Sequence, residues 1–199
     1  MSEEESLLDL TTAHLNTGLR GVPVGTCRTS YVTPGEGVHY CGYPISELAM
    51  MSPEDIVFLL FHKELPTLEQ SVEFREELQS RGAIPEGLEP VLATLPKDGH
   101  PMDWLSIGIL ALGASDTTGD LRTDAMNLIA RMPELMARIF LLRGGNMQET
   151  RDSRPQLGLV ENFTHMLGVD GGEAERMNRV LRFFFILHMD HGGGNLSTF

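Results

Sequence analysis

The stretch "GEAERMNRVLRFFFILHMDHGG" constrains this chain more than any other. Its composition suits one long helix. Val180, Leu181, Phe183, Phe184, Phe185, Ile186, Leu187 and Met189 then point in nearly every direction around the axis. A helix that is apolar all round is buried on all sides. The fold is therefore expected to wrap this helix with others. Its end, with the histidines, is expected deep inside a larger structure.

The rest of the chain supplies candidate neighbours. Residues 3–16 read as a short amphipathic helix through Leu7, Leu8, Leu10 and Leu15, broken by "NTGLRG". Residues 22–43 are rich in Val, Tyr, Thr and Cys, with Pro-Gly and Gly-Glu-Gly turn signals, and read as a small β-meander. Everything after that reads as helix. Ser52 is an N-cap before Pro53 at the first helical position, with Asp55 three residues on. Thr67 caps the next helix, which Gly82 stops. A short helix near 86–95 precedes a longer one over "HPMDWLSIGILALGAS". In the stretch from "GDLRTD" to "LLRGG", Pro133 is expected to break or kink the helix. "VENFTHMLG" is a short helix ended by Gly168. The fold class is mainly α with a small N-terminal β-meander. No internal repeat is visible, and the polar segment 144–156 reads as a lid or loop rather than a linker.

Composition narrows the function classes. Net charge is −13 and no basic cluster is present, which argues against a nucleic-acid binder. No apolar run approaches the roughly 18 residues of a membrane span. The acidic start "MSEEESLL" resembles neither a secretory signal nor a transit peptide, so the expected location is cytoplasmic. Cys27 and Cys41 fall in the same hairpin region and read as free thiols in a reducing compartment, with a cross-strand bridge as the alternative.

The stretch "LHMDHGGGN" holds the candidate chemistry. His188 and His191 are three apart and share a helix face. Gly192 suits a helix end, and Asn195 can cap a new helix at "NLSTF". Imidazole donors and the amide donors of a helix start would then meet, which suits a small carboxylate. Two other readings stay open. The histidines are satisfied core residues, or they bind a metal with Asp190 or His165. Asp190 points away from the shared face, and neither HExxH nor CxxC occurs. His39 reads as a surface residue on a strand, His62 as structural, His100 as a helix N-terminus and Trp104 as a core or interface anchor. Arg143, Arg151 and Arg154 flank or lie in the polar loop, where solvated side chains are a more ordinary reading than phosphate ligands.

At this point a family resemblance is visible. "GLRGV" followed by "TSYVTPGEGVHYCGYPISELA" resembles the N-terminal meander of the citrate/2-methylcitrate synthase family, with Cys41 where Arg is common. "FLLFHKELPTLEQSVEFREEL", "HPMDWLSIGILALGA" and "LIARMPELMARIF" resemble three of its helices. "ENFTHMLG" and "LHMDHGGGNLSTF" resemble the region of its first substrate histidine, with Gly192 in place of a common Glu. These segments follow in order at suitable spacing across nearly the whole chain.

The resemblance implies an orthogonal multi-helical large domain, of which residues 1–199 form the N-terminal part: 1–45 as helix plus β-meander and 46–199 as helices. The small domain and the C-terminal half are absent from this stretch. It implies a homodimeric acyltransferase that condenses acetyl-CoA with oxaloacetate, giving citrate and CoA at the entry of the tricarboxylic acid cycle, with no cofactor or metal and with acetyl-CoA as substrate. His191 corresponds to the oxaloacetate ligand, with His188, Asn195 and Ser197 beside it. The catalytic residues belong to motifs that follow the matched part, so none is assigned within this chain. Two further readings are a short inactive homologue acting as a dimerisation or regulatory module, and one subunit of a split enzyme. The isolated chain is expected to aggregate or to be molten, because several large apolar side chains would each forfeit ~1.5–3 kcal/mol of burial against a total stability of ~5–15 kcal/mol.

Overall fold

The computed structural model describes residues 6, 8–17, 22, 25–146 and 151–190. It begins with a 3₁₀ turn at Thr12–Asn16, and Leu8, Leu10 and Leu15 are exposed. The expected amphipathic helix over 3–16 is thus reduced, among its described residues, to one turn with no buried side chain.

The expected meander is present. Strands β1 (Ser30–Thr33), β2 (Gly37–Tyr40) and β3 (Tyr43–Pro44) form an antiparallel sheet in sequence order. Tyr40 pairs with Tyr43, leaving a two-residue turn at Cys41 and Gly42. Both residues have positive φ, +50° and +91°, as a type I′ hairpin turn requires. Cys41 carries the strain of that conformation, since a side chain at left-handed φ costs roughly 1–2 kcal/mol. Neither cysteine is in a disulfide.

Eight α-helices follow among the described residues: α1 (Ile45–Leu48), α2 (Pro53–His62), α3 (Leu68–Ser80), α4 (Leu88–Ala93), α5 (Pro101–Asp116), α6 (Leu121–Gly144), α7 (Leu159–Met166) and α8 (Gly171–His188). Their starts obey local chemistry. Ser52 accepts from the Asp55 amide, Thr67 and Gln70 form a reciprocal capping box, and His100 Nδ1 accepts from the Met102 amide. Asp120 accepts from the Thr123 amide at the head of α6.

Helix α6 organises the core. It runs unbroken through Pro133, so of the expected break or kink the break does not occur. A proline inside a helix costs roughly 3 kcal/mol, and the cost is offset by packing along the whole length of α6. Val57, Phe58, Phe74 and Leu78 from α2 and α3 meet its Met126 and Ala130. Leu88, Leu92, Trp104 and Leu112 from α4 and α5 meet its Leu135 and Ile139. Phe163 and Met166 from α7 meet its Ala137. Trp104 is buried in this core as expected, and its indole N–H donates to the Pro96 carbonyl.

Helix α8 departs from expectation. Ile186 is its sole buried residue among those described. Val180 is 65% exposed, Phe184 56% and Phe185 43%. Within this chain α8 is covered by α2, α7 and the β2 end of the meander. The rest of its apolar surface has no partner among the described residues. The helix is therefore flanked on part of its surface rather than wrapped, and His188 at its end is exposed rather than deep.

Candidate functional site

The end of α8 is held by a residue that sequence reasoning missed. Tyr40, fully buried at the end of β2, donates its hydroxyl to the Ile186 carbonyl at 2.9 Å. The same oxygen lies 3.3 Å from the Asp190 amide, from which it accepts. One phenol thus fixes the last turn of α8 and the backbone leading to residue 191. Burial pushes the Tyr40 hydroxyl above its ordinary pKa, so it stays protonated and able to donate. The strand pattern places Tyr40 on a covered face, but a partner 146 positions away leaves no local signature.

His188 occupies the exposed side of this turn. Its Nδ1 lies 2.7 Å from the Phe184 carbonyl, and its ring stacks on Phe184 with centroids 4.3 Å apart. A carbonyl only accepts, so Nδ1 carries a hydrogen. In the neutral ring that leaves Nε2 as the acceptor. The other expected site residues, His191, Asn195 and Ser197, lie outside the described residues, as does the Gly192 helix stop.

The metal alternative gains nothing. Among the described residues no cluster of three His, Cys, Asp or Glu side chains is placed to hold a metal ion. His165 sits instead beside cationic groups. Partial burial lowers its pKa, and Arg154 and Arg151 push in the same direction. Arg151 is itself engaged, with both terminal nitrogens 2.7 Å from the two carboxylate oxygens of Asp170. Arg143 belongs to α6 and donates to the Gly99 carbonyl. Neither guanidinium waits for a phosphate.

The other histidines divide. His39, expected at the surface, is buried, because its ring stacks on Tyr31 directly opposite in the sheet at 4.7 Å. His62 is structural, stacked on Phe58 and 2.8 Å from Arg122. A second residue missed from the sequence is Glu54. It is 3% exposed and accepts from the Leu159 amide at 2.6 Å, serving as the N-terminal cap that Gly158 lacks. A Cβ on Gly158 would stand 2.7 Å from carboxylate oxygens of both Glu54 and Glu161, so a larger residue there would force these side chains to shift. This cap fastens α2 to α7, and α7 is the helix against which α8 packs.

A sequence model described as "Citrate synthase, C-terminal domain" matches residues 18–199, which include the meander, all eight helices and the segment after α8. The chain belongs to the citrate synthase family. It is 31% identical to the mitochondrial citrate synthase of Daucus carota over 91% of its own length and 43% of that protein's. It is 30% identical to mitochondrial citrate synthase 4 of Arabidopsis thaliana, again over 91% of this chain and 42% of the relative. The citrate synthase structure from Thermotoga maritima superposes with a TM-score of 0.77 at 28% identity, covering 91% of this chain and 48% of that one. That from Pyrobaculum aerophilum superposes at 0.76 and 23% identity, a likeness of fold. The chain spans less than half the length of the citrate synthases it matches. The mainly helical fold with its three-stranded sheet is the one expected for the family. No helix among the described residues is long and apolar enough to cross a membrane.

Proposed function

We propose that this chain supplies the oxaloacetate-holding portion of a citrate-synthase-type acyltransferase. The observation that carries the reading is the continuity of the family match through α8 and on to residue 199, across "LHMDHGGGNLSTF". In this reading His191 hydrogen-bonds oxaloacetate, His188 stands beside it, and Asn195 and Ser197 line the same pocket. Two local features support it. Tyr40 holds the backbone up to Asp190, next to residue 191, and the Phe184 carbonyl orients the His188 ring through Nδ1.

The reaction joins the methyl carbon of the acetyl thioester to the ketone carbon of oxaloacetate, and hydrolysis then releases CoA and citrate. It needs a base for the methyl proton and donors for the developing oxyanion. Those groups belong to the second half of the family's sequence, so this stretch is assigned substrate contacts and no turnover of its own. In this reading the complete enzyme is a homodimer that acts in the cytoplasm.

The test is calorimetric titration of oxaloacetate into the chain and into its His191→Ala variant. Hydrogen bonds to charged groups contribute about 1.5–3 kcal/mol. The variant is therefore expected to bind at least about tenfold more weakly, with no CoA released from acetyl-CoA by either protein. Equal affinity for the two proteins would remove His191 from the site.

A further inference from the structure

Cys27 and Cys41 are the chain's two cysteines, and the fold brings them to one corner of the meander. The Cys41 amide donates to the Thr29 carbonyl at 2.7 Å, which sets Cys41 opposite Thr29, one step past the Ser30–Tyr40 pair. The Cys27 Sγ lies 3.4 Å from the Thr29 hydroxyl and 4.0 Å from that of Ser30. Thr29 therefore meets Cys27 through its side chain and Cys41 through its backbone. Burial raises the pKa of the Cys41 thiol, and among the smaller contributions a charge on Cys27 pushes the same way, so the two sulfurs lie within electrostatic range of each other. Their surroundings differ. Cys27 is exposed and precedes β1 in a segment, residues 25–28, that is exposed throughout. Cys41 is half-buried, donates to the Leu59 carbonyl at 3.5 Å and packs against the core around Tyr40 and Ile56. An exposed thiol is the one an external oxidant meets first, whereas a buried thiol of raised pKa reacts slowly by itself.

We infer that Cys27 and Cys41 form a reversible disulfide site, with Cys27 as the attacking thiol, Cys41 as the resolving thiol and a low-molecular-weight disulfide as the oxidant. The Cys27 thiolate attacks one sulfur of the oxidant and expels the first small thiolate, leaving a mixed disulfide. Cys41 gives its proton to that thiolate and attacks the Cys27 sulfur, expelling the second. Two protein thiols are oxidised to one disulfide, and the oxidant is reduced to two thiols. Directly opposed strand residues have Cα atoms about 5.5 Å apart, inside the roughly 4.4–6.8 Å that a disulfide spans. Cys27 stands two residues before the one opposed to Cys41, so closure draws the exposed segment 25–28 towards the turn. The bridge fastens the start of the meander to the turn that follows Tyr40, and so stiffens the strand end that holds the last turn of α8. Cys41 stands where Arg is common in the family, which makes the pair a feature of this chain rather than of the family at large.

The experiment equilibrates the full chain in graded mixtures of reduced and oxidised glutathione, in buffer and in concentrated urea, then blocks remaining thiols and digests with trypsin. Cleavage after Arg20, Arg28 and Lys63 places Cys27 in peptide 21–28 and Cys41 in peptide 29–63. The expected result is these two peptides joined within one chain. Half-oxidation is expected at a more reducing mixture in buffer than in urea, because a bridge that stabilises the fold is favoured by the fold to the same degree. Cys41→Ser is expected to accumulate the mixed disulfide of Cys27 with glutathione, and Cys27→Ser to stay reduced in the same mixtures. A mixed disulfide on Cys27 of the unsubstituted chain with no joined peptides, a bridge between two chains, or no oxidation at all would each overturn the proposal. A midpoint in buffer no more reducing than in urea would overturn it too, and glutathione on Cys41 of Cys27→Ser would overturn the assigned roles.

Discussion

Helices α6 and α8 make an instructive pair. Each carries large apolar side chains over much of its circumference. Helix α6 buries Met126, Ala130, Leu135, Ala137, Ile139 and Leu141 against five neighbours, while α8 buries Ile186. The difference lies in what surrounds them. Helices α2, α3, α4, α5 and α7 all lie within this stretch and close around α6, whereas α8 meets α2, α7 and the end of β2 and then faces outward. Apolarity in a sequence therefore states how much burial a helix needs, and only the surrounding chain states how much it receives.

Substitutions on the two helices sharpen this contrast. The largest expected effect is at Leu135, which is fully buried between α4, α5 and α6. Leu135→Ala is expected to cost about 2–5 kcal/mol, read as a lowered urea midpoint. Phe184→Ser, on the uncovered face of α8, is expected to change the midpoint by less than about 0.5 kcal/mol and to raise solubility. A large loss at Phe184 in this chain alone would mean that α8 is covered after all.

A smaller effect is expected at the clamp between the regions. Tyr40→Phe keeps the ring in its core position and removes the hydroxyl that bonds the Ile186 carbonyl and the Asp190 amide. The loss is expected to be about 0.5–1.5 kcal/mol, with oxaloacetate affinity falling alongside it. Stability falling while affinity holds would detach the clamp from the site.

The smallest effect is a pH dependence on the well-packed side. Partial burial and the neighbouring Arg122 lower the His62 pKa below its ordinary 6.5. The folded state therefore favours the neutral ring, and the unfolded state binds the proton more readily. Stability is expected to be fully present above the ordinary value and to decline as pH falls below it. His165 shifts in the same direction and adds to the decline. In His62→Gln the decline between about pH 7.5 and pH 5.5 is expected to shrink, read from paired urea melts. An unchanged decline would assign it wholly to other groups.

The sequence was legible where the physics is local. Ser52, Thr67 and His100 cap their helices as read because each partner amide lies within three residues. The turn between β1 and β2 falls at the Pro-Gly and Gly-Glu-Gly signals for the same reason, whereas the Cys41–Gly42 turn was not read from the sequence. The break read at Pro133 does not occur because packing along α6 outweighs one lost hydrogen bond. His39 misled because strand position alone does not show that Tyr31 lies opposite and covers it. Tyr40 and Glu54 escaped notice because their partners lie 146 and 105 positions away. The candidate site was legible as a motif. Of its four expected side chains the structure describes His188 alone, and that one proves exposed.

The central claim is that α6 is complete within this chain and α8 is not. Hydrogen exchange measured on the 199-residue chain in isolation tests it most directly. Exchange reports local opening free energies element by element. The account predicts that amides of α6 from Met126 to Leu141 exchange only on global unfolding, while those of α8 from Val180 to Leu187 exchange through easier local opening. Equal, global protection of both helices would contradict it, because α8 would then be fully supported by residues 1–199.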